Sequence, residues 1–114
     1  MNNKKLVIIA PCYNEEEIIE YSIVQLSKLL NLLISENLIS DNSQICYIND
    51  GSTDNTRLII EKHCAKNNHI ALINFTRNFG QQYALLAGFN EICADMIISI
   101  DSDLQDDLSV IKEK

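Results

Sequence analysis

Leu6-Val7-Ile8-Ile9-Ala10, followed at once by Pro11-Cys12-Tyr13-Asn14-Glu15-Glu16-Glu17, is the stretch on which the fold turns. The apolar run is rich in β-branched residues and has no alternating polar position, so it reads as a strand buried on both faces. Pro11 stops it, having no N–H to give to a ladder. Asn14 then reads as the cap of a helix whose first turn holds Glu15, Glu16 and Glu17, where the helix dipole favours negative charge. Ile19, Ile23, Leu26, Leu30 and Leu33 carry the helix onward as a single apolar stripe. It is expected to fray near Ser35 to Asn37.

The same pattern repeats outward from this unit. Gln44 to Asn49 reads as a second strand closed by Asp50-Gly51, and Ser52, Thr53 or Asp54 caps a helix running to about Ala65. Ile70 to Phe75 is a third strand. Gln82, Leu85, Leu86, Phe89, Ile92 and Cys93 mark a third helix, and Met96 to Ile100 a fourth strand. The string β-α-β-α-β-α-β predicts an α/β, Rossmann-like parallel sheet with helices on both faces. Right-handed crossovers meet that requirement only if the strand order reverses, which gives 3-2-1-4. The crevice between the carboxyl ends of the first and fourth strands is then the expected ligand site.

Composition narrows the function classes. The 114 residues make one domain, and 46% apolar with 22% charged residues describes a packed globular chain rather than a disordered one. A net charge of -7 lacks the basic field that nucleic acid requires, so no nucleic-acid partner is expected. No apolar run approaches the roughly 20 residues of a bilayer span. The N-terminal stretch has no small-residue cleavage site, so a cytoplasmic protein is expected. Cys12, Cys46, Cys64 and Cys93 show no zinc-ligand spacing and read as reduced, mostly buried thiols. His63 and His69 read as structural.

Three polar clusters follow strands and so fall on one sheet edge: Pro11 to Glu15, Asp50-Gly51-Ser52-Thr53-Asp54, and Asp101-Ser102-Asp103. Each alone reads more readily as a cap, a turn or a strand-ending acid than as a site. Their convergence on the crevice that topology selects favours a site. Asp101, Asp103, Asp106 and Asp107 lie within seven residues without Lys or Arg, and a divalent cation is the simplest relief for their repulsion. Carboxylate oxygens suit Mg²⁺ or Mn²⁺, and such an ion usually completes its shell with water and phosphate. Asp50 is placed to accept hydrogen bonds from a nucleobase or ribose. Gly51, Gly80 and Gly88 form no phosphate loop, which leaves diphosphate neutralisation to a metal. Arg77 in Arg77-Asn78-Phe79-Gly80 reads either as a phosphate ligand or as one half of an ion pair ordering its loop.

Together, Pro11-Cys12-Tyr13-Asn14-Glu15, Asp50-Gly51-Ser52-Thr53-Asp54, Arg77-Asn78-Phe79-Gly80 and Asp101-Ser102-Asp103-Leu104-Gln105-Asp106 resemble the motifs of family 2 glycosyltransferases. The likeness runs from Leu6 to about Asp107. Its Leu-Gln-Asp extension is similar to the branch that glycosylates polyprenyl phosphates, which includes dolichol-phosphate mannosyltransferase and bactoprenol glucosyltransferase. Asp107-Leu108-Ser109 departs from that branch, which commonly has two prolines and an acid there, and Gln81 stands where a basic residue is frequent.

The resemblance implies the nucleotide-binding half of a GT-A domain and a nucleotide diphosphate sugar as donor, UDP- or GDP-linked. Pro11, Tyr13, Glu15 and Asp50 match positions that hold the nucleoside, and Asp101 and Ser102 also match donor-binding positions. Asp101 and Asp103 match the metal and diphosphate motif, with Gln105 as a further ligand to Mg²⁺ or Mn²⁺. The implied reaction is inverting hexosyl transfer to an acceptor, a polyprenyl phosphate in the branch named. Full-length relatives of that branch would work at the cytoplasmic face of a membrane. The likeness stops at the metal motif, so the chain reads as a fragment expected to bind donor, scarcely to catalyse, and to self-associate through an uncovered sheet edge.

Three alternatives make different demands. One is a glycosyltransferase with a saccharide acceptor in cell-wall or polysaccharide synthesis. Haloacid-dehalogenase phosphatases place Asp-x-Asp after the first strand, where this chain has Cys12-Tyr13-Asn14. A Mg²⁺-binding receiver-like module expects an acidic pair after the first strand and an aspartate after the third, where Tyr13-Asn14 and Thr76-Arg77 stand.

Overall fold

The computed structural model describes residues 4–75 and 94–100. Its elements are β1 (Leu6–Cys12), α1 (Ile19–Ser35), β2 (Gln44–Asp50), α2 (Thr56–Lys66), β3 (Ile70–Phe75) and β4 (Met96–Ser99). The sheet order is β3-β2-β1-β4, with every neighbouring pair parallel, as the sequence predicts. The helix expected over 82–93, the Arg77 to Gly80 cluster, Cys93 and the Asp101 to Asp107 segment lie outside the described residues.

Alternation along the strands sorts the core into two layers. Leu6, Ile8, Ala10 and Cys12 of β1 join Ile45 and Tyr47 of β2 against the α1 stripe of Ile19, Ile23, Leu26, Leu30 and Leu33, and against Ile60 of α2. Two right-handed crossovers that step in the same direction place their helices on one face, and α1 and α2 share this one. Val7, Ile9, Cys46 and Ile48 point the other way and are buried as well. A strand buried on both faces has no polar position to spare, which is why the run from Leu6 to Ala10 shows none.

Three local expectations give way to longer-range chemistry. Pro11 does not stop β1, which continues to Cys12 opposite Asn49. Ile100 N–H donates to the Ile9 carbonyl at 2.9 Å, so Ile9, and Pro11 two residues on, direct their backbone groups toward β4. The donor that proline lacks is therefore missing only on the β4 side, at the end of that ladder, where a proline is tolerated. Asn14 does not cap α1, which begins at Ile19 with Ile18 at the N-cap. The intervening residues form a turn in which the Glu15 carbonyl accepts from Ile18 N–H and Ile19 N–H at 3.0 and 2.9 Å, and the acid in the first helical turn is Glu20. Nor does α1 fray. Asn37, at φ 60°, donates to the Ile34 carbonyl while Leu38 N–H donates to Leu33, closing the helix in a Schellman motif.

Buried polar groups tie the layers together. Ser22 Oγ on α1 and Tyr47 Oη on β2, both fully buried, lie 2.9 Å apart. Ser43 Oγ accepts from Leu6 N–H at 2.9 Å, and its carbonyl faces His69 Nδ1 at 2.9 Å. His63 Nε2 lies 2.7 Å from Glu20 Oε2, joining α2 to α1. Both histidines therefore have the structural partners expected of them. Cys12 and Cys46 are buried, Cys64 is partly so, and all three are free thiols. No described helix is long and apolar enough to cross a membrane.

Candidate functional site

The carboxyl ends of β1 and β2 lie side by side because their register runs to Cys12 opposite Asn49. The loop that leaves β1 is therefore held against the loop that leaves β2. Pro11 and Asp50 are buried strand residues, Tyr13 is exposed just beyond β1, and Glu15 is half-buried in the turn before α1. The structure thus brings Pro11, Tyr13, Glu15 and Asp50 to one edge of the sheet. Ile100, hydrogen-bonded to Ile9, ends on the same edge; Asp101, Ser102, Asp103 and Gln105 come next in sequence and lie outside the described residues.

Hydrogen bonds stitch the two loops together. Asn14 adopts φ 50°, a left-handed conformation that asparagine tolerates better than most residues. This turns its backbone N–H to Ser52 Oγ at 2.9 Å. Its Oδ1 accepts from Thr53 N–H at 2.7 Å, Thr53 Oγ1 at 3.3 Å and Asp54 N–H at 3.4 Å. One step along, Glu15 N–H donates to Thr56 Oγ1 at 2.8 Å, and that hydroxyl donates in turn to Asp54 Oδ1 at 2.6 Å. Asp54 Oδ1 also takes Thr56 N–H at 2.9 Å, and Oδ2 takes Glu16 N–H at 3.3 Å. Gly51 at φ 71° makes the tight turn between Asp50 and this cluster. Toward β3, Asn49 Oδ1 accepts from Ser52 N–H at 3.3 Å and its Nδ2 donates to Asn74 Oδ1 at 3.1 Å.

Asp54 does take a first-turn amide of α2, as expected of a cap, although Asn55 occupies the N-cap position and makes no side-chain bond there. The role of Asn14 is different from the one its sequence suggests, since its partners lie 38 to 40 positions away. Thr56 escapes a sequence reading altogether. The only local signal is Asp54-x-Thr56 at the mouth of a helix, where an aspartate commonly bonds the backbone N–H two residues on, and this leaves the hydroxyl's part unsignalled.

The electrostatics of this edge are one-sided. The Cys12 thiol is pushed up to about 12, first by burial and then by the negative charges of Glu15, Asp54 and Asp50. Three carboxylates therefore gather about the end of β1, and neither Pro11 to Glu15 nor Asp50 to Asp54 contains Lys or Arg. Partial desolvation works to raise the Asp54 carboxyl, but hydrogen bonds from Thr56 and from the Thr56 and Glu16 amides hold it below its ordinary value. Such an edge favours a neutral ligand portion that presents N–H and O–H donors, and disfavours a phosphate. Among the described residues no group of three His, Cys, Asp or Glu side chains could hold a metal ion.

Comparison with known proteins gives a consistent picture. The model of the family described as Glycosyl transferase family 2 matches residues 7–113. YkoT, an uncharacterized glycosyltransferase of Bacillus subtilis (strain 168), is 41% identical over 110 residues, covering 95% of this chain and 33% of YkoT. The chain thus spans about a third of the length of that relative. Among solved structures, a mannosyltransferase from Pyrobaculum calidifontis in complex with GDP-Man and Mn²⁺ superposes with a TM-score of 0.73 at 17% identity, over 90% of this chain and 28% of that one. S. aureus TarS in complex with UDP-GlcNAc gives 0.67 at 24% identity, over 96% and 29% respectively. At these identities the two structures share the fold.

Proposed function

Because the chain belongs to glycosyl transferase family 2, we propose that it forms the donor-binding part of a metal-dependent, inverting glycosyltransferase that moves a sugar from a nucleotide diphosphate sugar to a polyprenyl phosphate. The observation that carries this reading is the stitched, carboxylate-rich edge after β1 and β2. A neutral nucleoside fits it and a diphosphate does not. Asp50 would accept from a base imide N–H or a ribose hydroxyl. The exposed Tyr13 ring, beside Pro11 at the end of β1, offers an apolar face to a base, and Glu15 an acceptor to ribose. Structures of similar fold hold GDP-Man with Mn²⁺ and UDP-GlcNAc, donors of the chemistry proposed.

With the nucleoside on this edge, the diphosphate would extend toward β4, whose chain continues into Asp101, Ser102 and Asp103. Asp101 and Asp103, with Gln105, would supply an all-oxygen donor set suited to Mg²⁺ or Mn²⁺, and Ser102 would donate to the donor itself. A bound ion supplies Lewis-acid stabilisation of the departing diphosphate, an effect of several kcal/mol. A phosphate acceptor is already anionic, so its attack needs no strong general base. Such an acceptor would put the full-length protein at the cytoplasmic face of a membrane.

Calorimetric titration of UDP and of GDP, with Mn²⁺ and then with chelator at fixed salt, tests the donor site. Binding of one nucleotide only in the presence of metal is the expected result and identifies the base. Absence of binding by either to a folded sample of the full-length protein would refute the reading.

A further inference from the structure

The bonds between the loops do more than close two turns. Asn14, Asp54 and Thr56 are not the residues matched to donor contacts, yet every bond they make across the edge joins the segment bearing Tyr13 and Glu15 to the segment that begins at Asp50. We propose that Asn14, Asp54 and Thr56 are positioning residues that lock the β1–α1 loop onto the β2–α2 loop and so set the spacing between the two halves of the nucleoside grip. The proposal rests on the donor-site reading above.

Directionality makes the lock specific. The Thr56 hydroxyl has one hydrogen, and it is committed to Asp54 Oδ1 at 2.6 Å; only a lone pair is left to face Glu15 N–H at 2.8 Å. The Thr56 side chain is fully buried, so neither bond is readily replaced by water. The backbone of Glu15 is thus placed by a hydroxyl whose own orientation Asp54 fixes. At the other end, a single oxygen of Asn14 gathers the Thr53 and Asp54 amides from a left-handed backbone conformation that most residues resist. These fasteners, at the consecutive residues Asn14 and Glu15 and joined through Asp54, leave little freedom in the distance from Tyr13 to Asp50. Since a misplacement of about 1 Å between cooperating groups costs up to about a hundredfold in what they do together, the spacing is a determinant of donor recognition.

The test separates positioning from general loosening. Thr56→Val keeps the buried shape and removes both roles of the hydroxyl; Thr56→Ser keeps them; Asn14→Gly permits the positive φ and removes the acceptor. Each variant, confirmed folded by circular dichroism, is titrated with the nucleotide that the unsubstituted protein binds and, separately, with pyrophosphate, both in Mn²⁺. Thr56→Val and Asn14→Gly are expected to weaken nucleotide binding by about tenfold to a hundredfold with pyrophosphate affinity unchanged, and Thr56→Ser to restore it. Asn14 is exposed, so Asn14→Gly serves should Thr56→Val fail to fold. Unchanged nucleotide affinity, or equal losses for nucleotide and pyrophosphate, would overturn the proposal while leaving the donor site standing. Failure of the unsubstituted protein to bind either nucleotide would overturn the donor-site reading and the proposal with it.

Discussion

Tyr47→Phe is the most informative single change to the scaffold beneath the site. The Tyr47 hydroxyl and Ser22 Oγ are each other's partners at 2.9 Å, in side chains with no exposed surface, and burial raises the phenol above its ordinary pKa, so it stays neutral at any working pH. Removing one hydroxyl strands the other without water, at about 1–3 kcal/mol. Removing both leaves no orphan, and Ser22→Ala also gains about 0.5 kcal/mol of helix propensity. Each single variant is therefore expected to lose about 2 kcal/mol, and the double variant Tyr47→Phe/Ser22→Ala no more than either single. Urea unfolding followed by circular dichroism reads this directly, with the slope held constant as a check that only stability has changed. Additive losses within about 0.5 kcal/mol would refute the reasoning. They would mean that Ser22 bonds back to the carbonyl one turn earlier and that α1 is held to β2 by apolar packing alone.

Asp103→Ala is expected to abolish metal-dependent nucleotide binding and leave the circular dichroism spectrum intact; unchanged binding in Mn²⁺ would reject the metal assignment. Asp54 contributes stability that is present above the ordinary carboxylate value and lost as pH falls through its lower folded value. The Thr56 amide resonance should accordingly titrate with a midpoint below about 3.9, and a midpoint at or above it would contradict the bonds drawn to that carboxylate. Cys12 and Cys46, pushed by burial up to about 12 and about 11, stabilise the native state in full below the ordinary thiol value and lose that contribution as pH rises through the folded ones. In reductant, stability should fall between about pH 9 and pH 11 less steeply for Cys12→Ala than for the unsubstituted protein; identical slopes would place the thiol in water.

What the sequence makes legible is whatever depends on neighbours in the chain. The run from Leu6 to Ala10 declares a buried strand because a doubly covered strand has no polar position, and the 3-2-1-4 order follows from crossover handedness without any contact being known. Illegible are the features whose partner is remote. Pro11 reads as a stop until β2 and β4 are assigned to its two sides, since what matters is which neighbour the missing N–H would have faced. Asn14 before three glutamates has the local signature of a cap, yet its oxygen is taken by Thr53 and Asp54, a pairing set by the adjacency of β1 and β2. Thr56 gives no periodic signal at all, because its importance lies in one hydroxyl caught between two chain segments. Asp50, Tyr13 and Glu15 are recognisable from their motifs; the means by which they are held together is not.

The proline in β1 also divides the domain mechanically. On its β2 side the strand is laddered to Cys12 and then fastened loop to loop; on its β4 side the Ile100 rung to Ile9 cannot be followed by a donor from Pro11. One flank of the central strand is a continuous clamp and the other a seam that ends at the crevice. Substitutions that alter the choice of base would have to be accommodated within the clamp and should seldom propagate across the seam. On the donor-site proposal, a domain partitioned in this way would be able to exchange one nucleotide preference for another while the proposed metal chemistry stays fixed, or the reverse.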